Sequence, residues 1–588
     1  MNGPRKVLQV LVAIFAFTSF GFCSASAFYI TRDGAGSKNG SSLANAAACD
    51  ATPGVAQGTC AAFNNSANWG SGSTQIGPGT VVHLGGDGVA ITASSGASGY
   101  MTFQGSGSSG NVIELLFDAG FSPAGLNSPY WCCSLSGGAI NLGGNSYILI
   151  DGGANTPCGW NTATNASEGT CNGSIQGTAN GDGLKTEGET TGIFSSSCNN
   201  VEIRNLGIYN LYVKSNPAVG PVSNSISIFV DGGAASNCLI HDNDIHDNYQ
   251  LIQVAPSNNS GTISIYRNEM YNMNQGLLNY SNASITIGTF NIYGNHIHDM
   301  ALWDVNIIGA YHHDGVYLTY PNGAQTISSL NVYGNIWDGQ AQGVNGGPTQ
   351  QSCATSWFYM DGGDNVTAGY FYNNVVMSTT GCTTTGGGDP MINWGINSGT
   401  VYVYNNTFVC GGNNYPPGGM EIDQHSGTTR ANFFNNLFVY CNRFINLTAS
   451  PDTYDPATTG WDYNVYTNAN SGNEWSPQNG CCVATLSAWQ SAIGQDAHAQ
   501  YTSGSANLGG SYENGAQSPL SGIIPQSNSM AKGAGLNLTS LGIAALNSDI
   551  TGAARPSTGT WDAGAVQYGS GSGVLVPSPP TGLSAVVQ

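Results

Sequence analysis

The stretches ISIYRNEM (residues 263–270) and FNIYGNHI (residues 290–297) contain the pattern that decides the fold. Each reads as an apolar residue, two variable residues, Asn, one variable residue and a second apolar residue. This frame occurs seven times, centred on Asn243, Asn268, Asn295, Asn335, Asn374, Asn406 and Asn436. Successive Asn residues are 25, 27, 40, 39, 32 and 30 positions apart. A repeat of this size predicts a solenoid of stacked coils.

Apolar residues alternate within each copy, as in residues 263–265 (Ile-Ser-Ile) and 401–403 (Val-Tyr-Val). This period of two indicates a strand with one buried face. We expect Asn to turn the corner after the strand, because Asn tolerates the left-handed backbone region. Stacking then places equivalent amides about 4.8 Å apart, where they can hydrogen-bond along the stack. A second set of strands, such as residues 227–231 and 357–361, gives each coil at least two strands, so the fold class is all-β.

Composition restricts the architecture and the partners. Charged residues make up 8% of the 588 residues, against about 25% in typical domains, and there are 84 glycines. The aromatic content of 10% and the regular apolar frame argue against disorder. The net charge of −21 excludes nucleic acid as a partner and fits neutral glycans more easily than polyanions, unless basic groups or a bound cation act locally. We expect a single elongated domain and a monomer.

The first 27 residues have the pattern of a secretory signal peptide, with Arg5 and Lys6 before an apolar run and Ala25-Ser26-Ala27 at its end. The run is too short for a membrane anchor, so we expect a secreted protein without membrane insertion. Fourteen of the fifteen cysteines follow this segment, which favours disulfides. Candidate pairs are Cys49 with Cys60, Cys353 with Cys382, and Cys410 with Cys441. No Cys-x-x-Cys pair supports a cysteine metal cluster.

Domain boundaries follow from the regularity of the frame. Residues 28–568 form the predicted solenoid domain, with an N-terminal cap and irregular coils to about residue 200 and regular coils from about 200 to 466. The remaining coils and a C-terminal cap extend to residue 568. Residues 569–588 are a Gly/Ser/Pro linker followed by a short fibronectin-like stub.

The chain resembles the secreted right-handed parallel β-helix proteins of the pectin-lyase-like superfamily. The resemblance covers residues 28–568 and depends on the Asn frame, the opening at residues 29–37, the strand entry at residues 76–79 and the closing segment at residues 549–568. It implies a right-handed parallel β-helix and a polysaccharide partner. The family includes lyases, hydrolases and adhesins, so the fold alone does not assign an activity. The Asn-Thr-Asp, Gly-His-Gly and Arg-Ile-Lys motifs of polygalacturonases are absent from this sequence.

The densest group of potential catalytic residues lies between the Asn295 frame and the strand at residues 316–318. Imidazoles beside carboxylates can provide a general base and an acid near neutral pH. The candidate catalytic residues are His312, His313, Asp314, Asp304 and Asp361. Asp361, Asn393 and Asp423 each precede their frame Asn by 13 residues, which predicts one file along a strand face.

Binding residues are assigned by their chemistry. The candidate substrate-binding residues are Trp303, Tyr317, Arg267, Asn393 and Asp423, and Trp357 and Trp394 could offer flat faces for sugar rings. Trp337 occupies an inward frame position, which favours the core. Asp299 and Asp364 are candidate calcium ligands, and no other cofactor is expected. The leading hypothesis is a polysaccharide lyase or glycoside hydrolase, and the alternative is a glycan-binding or cell-surface adhesion protein without catalysis.

Overall fold

The structure is a computed structural model that describes most of the chain between residues 26 and 570. The described residues are 26–118, 125–131, 136–153, 158–162, 166–179, 190–212, 225–281, 283–300, 313–320, 325–339, 355–360, 364–377, 391–410, 418–423, 429–441, 443–447, 460–467, 475–477, 483–510 and 520–570. The predicted signal peptide, except for its last two residues, and the predicted linker and stub lie outside these residues, except Gly569 and Ser570.

Two long parallel sheets contain nearly all the strands of the described chain. In order across the first sheet, its fourteen strands are Ala47–Ala48, Ala27–Thr31, Val81–Leu84, Ile113–Phe117, Ile148–Asp151, Cys198–Arg204, Ala235–His241, Ser260–Tyr266, Thr286–Tyr293, Thr326–Tyr333, Asn365–Tyr372, Ser398–Tyr404, Thr429–Phe434 and Trp461–Asp462. Successive coils contribute neighbouring strands, so the predicted all-β parallel solenoid is confirmed.

The second sheet has twenty-three strands in the described chain. They are Ile91–Thr92, Met101–Thr102, Gly125–Ser128, Ile140–Asn141, Gly173–Gly177, Thr190–Ser195, Leu206–Tyr209, Ser225–Asp231, Asp244–Ala255, Glu269–Tyr280, His296–Met300, Asp314–Thr319, Ile336–Asp338, Ser356–Met360, Val375–Met377, Ile392–Gly395, Thr407–Val409, Gly418–Asp423, Leu437–Val439, Arg443–Leu447, Val465–Thr467, Trp475–Ser476 and Gln500–Thr502. Each regular coil therefore runs through one strand of the first sheet, a corner at the repeated Asn, and two strand segments of the second sheet.

Few elements lie outside these sheets. Trp160–Asn161 and Ala166–Ser167 form a short antiparallel hairpin. The α-helix Leu486–Ile493 begins at the N-cap Thr485, whose side chain accepts a hydrogen bond from the Ala488 backbone N–H, and it ends at Gly494 in the left-handed conformation. The 3-10 helices are Leu43–Asn45, Ser66–Asn68, Leu520–Ile523, Thr539–Leu541 and Ala544–Asn547.

The repeated Asn side chains form a continuous ladder through the stack. From Asn243 to Asn436, each Nδ2 donates to the Oδ1 of the next ladder Asn over 2.9–3.1 Å, and Asn464 extends the row by one coil. Each of these Oδ1 atoms also accepts the backbone N–H of the preceding ladder Asn, as Asn374 does from Asn335 over 3.0 Å. All the ladder side chains are fully buried. The predicted alignment of equivalent amides is confirmed.

The corner differs in one respect from the prediction. The left-handed residue is the one immediately before each ladder Asn, not the ladder Asn itself. These preceding residues are Asp242, Arg267, Gly294, Gly334, Asn373, Asn405, Asn435 and Tyr463, with φ between 51° and 63°. The turn is therefore complete before the ladder residue, whose own N–H then points along the stack to the neighbouring amide oxygen.

A buried carboxylate continues the ladder beyond Asn464. Asp496 accepts hydrogen bonds from Asn464 Nδ2 over 3.1 Å, from Tyr466 Oη over 2.8 Å and from Trp489 Nε1 over 3.2 Å. Burial raises the pKa of Asp496 to about 6, although these donors favour the ionised form. The helix Leu486–Ile493 contributes Trp489 to this environment, so the carboxylate links the helix to the last ladder coil.

Asp496 should make stability depend on pH. Because its pKa is higher in the folded state than the usual unfolded value of about 3.9, its protonated form stabilises the fold below about pH 4, and this contribution is lost as the pH rises through 6. The lost contribution is about 3 kcal/mol. Asp496→Asn should remove this part of the pH dependence, as measured by urea unfolding between pH 4 and pH 7. Parallel curves for the two proteins would contradict the assignment.

The segment of residues 531–566 packs back across the ladder corner. On the second sheet, Ile336, Val375, Leu437 and Val465 are buried together with Ile550, Ala563 and Val566. On the first sheet, Tyr333, Tyr372 and Tyr404 are buried with Leu538, Leu546 and Trp561. Asn435 Nδ2 donates to Leu536 O over 2.8 Å, and Arg555 Nη2 donates to Asn373 Oδ1 over 2.9 Å. The segment thus covers outward faces of the later coils.

Four disulfides join cysteines of the described chain. Cys49–Cys60 and Cys410–Cys441 confirm two predicted pairs. Cys198–Cys238 joins neighbouring strands of the first sheet, and Cys158–Cys171 closes the loop that contains the Trp160 hairpin. Cys353 and Cys382 lie outside the described residues, so that pairing stays a prediction.

Candidate metal centre

The ladder fixes the positions of the residues that directly follow each repeated Asn, because neighbouring coils are in register there. Glu269 directly follows Asn268, and His296 directly follows Asn295, so the two residues are paired on adjacent strands. His298 is two residues beyond His296. Alternate residues of a strand point to the same side of the sheet. Glu269, His296 and His298 are therefore on one face.

Three potential ligand atoms converge on this face. Glu269 Oε1 is 3.8 Å from His296 Nδ1 and 3.7 Å from His298 Nε2. The two imidazole rings are stacked with their centroids 4.1 Å apart. His296 is 8% exposed, and both facing nitrogens are buried without a hydrogen-bond partner in the described structure. Since the great majority of buried polar atoms have a partner, we interpret this gap as a ligand site.

Each imidazole is oriented from its other side by a carboxylate. His296 Nε2 is 2.8 Å from Asp338 Oδ1, and His298 Nδ1 is 2.8 Å from Asp299 Oδ2. A carboxylate accepts from a nitrogen that carries a proton, so in the neutral imidazoles the nitrogens that face Glu269 are the ones with lone pairs. Carboxylate–histidine–metal arrangements orient ligands in the same way.

The electrostatics of the cluster favour a cation. Burial disfavours the imidazolium of His298, but Asp299 and Glu269 outweigh it and raise the pKa of His298 to about 9. Burial also opposes ionisation of Glu269, yet the facing imidazoles lower its pKa to about 2. At 3.7 and 3.8 Å these contacts are too long for hydrogen bonds, so the attraction is electrostatic. Asp244, beside Glu269 on the previous coil, has its pKa raised to about 6 by burial.

The donor set selects the class of ion. Two imidazole nitrogens and one carboxylate oxygen suit zinc and similar divalent transition metals, whereas calcium prefers oxygen ligands only. Zinc–nitrogen bonds of about 2.0–2.1 Å in tetrahedral geometry separate ligand atoms by about 3.4 Å. The two distances from Glu269 Oε1, 3.7 and 3.8 Å, exceed this separation by only a few tenths of an ångström, and all three ligand atoms lie within 4.8 Å of one another. Three protein ligands leave room for an outside ligand, as in catalytic zinc sites.

The outer carboxylates provide a test of this arrangement. We expect Asp338→Asn to weaken zinc binding about ten-fold, because the substitution removes the charge that orients and polarises His296. Competition with a chromophoric chelator measures the affinity. The matched control is Asp247→Asn, since Asp247 Oδ2 pairs in the same way with Nδ1 of His246 over 2.6 Å, and His246 is not in the ligand set. Equal affinities for Asp338→Asn and the wild type would contradict the role of Asp338.

Of the five catalytic residues predicted from sequence, two lie within the described residues. His313 and Asp314 are buried, and Asp314 Oδ1 accepts the Ser356 backbone N–H over 2.9 Å. Asp304, His312, Asp361 and Trp303 lie outside the described residues, so the catalytic assignment stays a prediction. Asp364 and Tyr317 are also buried. Asp299 Oδ2 lies 2.8 Å from His298 Nδ1, and the assignment of Asp299 and Asp364 as calcium ligands stays a prediction.

The prediction that Asn393 and Asp423 lie in one file along a strand face is wrong. Asn393 is paired with Tyr359 and Glu421, whereas Asp423 is paired with Gly395, so Asn393 and Asp423 do not form one file. Counting 13 residues back from each frame Asn does not find equivalent positions. The reason is that the connection from the second-sheet strand to the first-sheet strand differs in length between coils.

The aromatic and basic candidates also have structural contacts. Trp357 and Trp394 are buried in the core, so the prediction that they offer faces for sugar rings is wrong, while the core position of Trp337 is confirmed. The guanidinium of Arg267 binds both carboxylate oxygens of Asp242 over 2.7 and 2.5 Å. Its proposed contact with substrate stays a prediction.

The sequence contains a signal for the metal centre that a search for locally dense clusters misses. His296-Ile297-His298 has the strand period of two, which places both imidazoles on one face. Glu269 and His296 occupy the same position relative to their ladder residues, directly after Asn268 and Asn295. The frame thus aligns residues that are 27 positions apart in the chain.

No protein-family model matches the chain, and no curated protein matches it in sequence. Within the described residues, no helix is both long enough and apolar enough to span a membrane.

Proposed function

We propose that this chain binds a divalent transition-metal ion through Glu269, His296 and His298 and uses it to act on a polysaccharide. The observation that carries the metal proposal is the pair of buried imidazole nitrogens that face Glu269 at 3.7 and 3.8 Å without hydrogen-bond partners. The negative surroundings of the site support it, because they favour a bound positive charge.

Metal analysis of the full chain tests the first half of the proposal. The protein is stripped with EDTA, and zinc, manganese and calcium are then titrated separately by calorimetry. We expect one zinc ion per chain at an affinity far above that for calcium, since the donor set contains two nitrogens. Failure to bind any transition metal stoichiometrically would overturn the proposal.

The finer fold assignment is part of the same proposal. We infer a right-handed parallel β-helix of the pectin-lyase-like kind that is secreted. Parallel strands joined by a crossover are right-handed in about 98% of cases, which supports the hand. The Asn ladder and the parallel sheets support the resemblance, and the four disulfides fit an oxidising compartment. Sequencing the N-terminus of the exported protein would test cleavage after Ala27.

Polysaccharide activity is proposed from the resemblance and from the low charge of the chain. A metal ion can polarise a substrate oxygen or activate water. A lyase transfers the C5 proton to a base and breaks the C4–O bond, which gives an unsaturated sugar. A hydrolase consumes water and gives a new reducing end. Assays of ultraviolet absorbance and reducing ends over a glycan panel, with and without EDTA, separate these reactions.

The alternative function is a glycan-binding or adhesion protein without catalysis. Binding to a glycan without either product would favour it. A second comparison assigns the site: His313→Ala and Asp314→Ala should abolish turnover if the cluster predicted from sequence is catalytic, whereas His298→Ala should do so if the metal centre is. Loss of activity only on EDTA treatment and in His298→Ala would assign catalysis to the metal centre.

A further inference from the structure

A disulfide-closed loop lies directly beside the metal centre. The loop between Cys158 and Cys171 packs on the corner before Asn268. The Trp160 backbone N–H donates to Arg267 O over 2.9 Å. A Cβ atom on Gly159 would lie 2.1 Å from the same carbonyl oxygen, so only glycine allows this approach. The backbone around Trp160 is therefore held tightly against the scaffold.

This loop places an indole against a proposed metal ligand. The rings of Trp160 and His296 have centroids 3.9 Å apart and an interplanar angle of 37°. Trp160 is 7% exposed, and its Nε1 is buried without a hydrogen-bond partner in the described part of the chain. Buried tryptophans usually find a partner for this N–H, as Trp131 does by donating to Gln176 O over 3.0 Å.

The surroundings of Trp160 distinguish it from other tryptophans. Trp337, Trp394 and Trp475 also have an indole nitrogen without a partner in the described structure, but they lie in the apolar interior of the solenoid. Trp160 belongs to a separate apolar cluster, with Ile336, and lies beside His296, whose Nδ1 faces the ligand site and equally lacks a partner in the described structure. Two unsatisfied polar groups on adjoining rings indicate a ligand that can satisfy both, directly or through the ion.

We propose that the indole N–H of Trp160 donates a hydrogen bond to a carboxylate that enters from solution and binds the ion held by Glu269, His296 and His298. This inference rests on the proposed metal function. One carboxylate oxygen coordinates the ion at the position that the three protein ligands leave open, and the other oxygen accepts from Trp160. Such a ligand is compatible with the acidic chain because the ion reverses the local charge.

The test uses the full chain loaded with cobalt, whose visible absorption reports changes in coordination. Acetate and imidazole are titrated separately into the wild type and Trp160→Phe. We expect the dissociation constant for acetate to rise about ten-fold in Trp160→Phe, because a hydrogen bond to a charged acceptor is lost. The constant for imidazole should not change, since bound imidazole has no free lone pair to accept the indole N–H.

Controls separate this role from a structural one. The phenyl ring keeps an aromatic contact with His296, and the lost N–H has no partner in the described apo structure, so cobalt affinity should be unchanged. The smaller buried ring should lower apo thermal stability, and Trp131→Phe should lower it at least as much, because it also loses the hydrogen bond to Gln176 O. Trp131→Phe is the matched substitution and should leave both acetate and imidazole binding unchanged. Equal acetate affinity in Trp160→Phe and the wild type would overturn this inference alone, as would parallel losses for acetate and imidazole. Failure of the wild type to bind cobalt would overturn the metal proposal and this inference together.

Discussion

Replacing His298 with alanine is expected to weaken zinc binding by more than about a hundred-fold. Loss of an outer hydrogen-bond partner alone typically costs ten- to a hundred-fold, and loss of a direct ligand should cost more. The remaining Glu269 and His296 cannot enclose the ion from three sides. Titration against a chromophoric chelator, with the metal-free proteins compared for thermal stability, measures the effect without any assumption about substrate.

His246→Ala is the matched control for this experiment. His246 is on the same outward face as His298, and its Nδ1 pairs with Asp247 as that of His298 pairs with Asp299. Its ring also stacks on Tyr271, which lies between the two histidines, with centroids 4.4 Å apart. Zinc affinity should therefore be unchanged in His246→Ala. Similar losses in both variants would show that the effect comes from disturbed stacking and not from a lost ligand.

Asn335→Ala, which removes one side chain of the ladder, should destabilise the fold more than any other substitution proposed. Asn335 Nδ2 donates to Ile292 O over 2.9 Å and to Asn374 Oδ1 over 3.1 Å. Its Oδ1 accepts from the backbone N and from Nδ2 of Asn295, both over 3.0 Å. Each buried group left without a partner costs about 1–3 kcal/mol, so the free energy of unfolding should fall by about 4 kcal/mol or more. Chemical denaturation measures this change.

Asn331→Ala provides the comparison, on the strand Thr326–Tyr333 that leads into the corner at Asn335. Asn331 is half-buried, and its Nδ2 donates to Asn291 Oδ1 over 2.9 Å. Water can replace this hydrogen bond after the substitution, so the cost should stay within about 1 kcal/mol. If the free energy of unfolding of Asn335→Ala is no lower than that of Asn331→Ala, the row of amides is a consequence of the stacking and does not stabilise it.

The stacking of the coils was predictable because a single residue type, the Asn of the repeated frame, determines how the coils align. A buried amide can satisfy its neighbour only at the strand spacing, so the recurrence of Asn in a fixed apolar frame determines the register of the coils. Asn464 is also in the row, although it is not one of the seven frame residues recognised in the sequence. The position of the left-handed residue was not predictable from Asn alone, because Arg267 and Tyr463 occupy it in two coils and Gly294 in another.

The metal centre was missed for a geometric reason. Its ligands are brought together by the stacking of coils, whereas local density in the sequence pointed to residues 299–314. The register that aligned the ladder also aligns Glu269 with His296, so the information was present in the frame. The disulfide loop that brings Trp160 to His296 has no comparable signal, since nothing in the sequence fixes where an outward loop packs.

The distribution of the three ligands between two coils has a mechanical consequence. Glu269 comes from one coil and both histidines come from the next, so a bound ion would cross-link two successive coils. Linear arrays of this type can open from a weak point and unzip turn by turn. Metal binding would raise the free energy needed to separate these two coils by RT ln(1 + [metal]/Kd). The stability of the middle of the solenoid would therefore depend on the metal concentration.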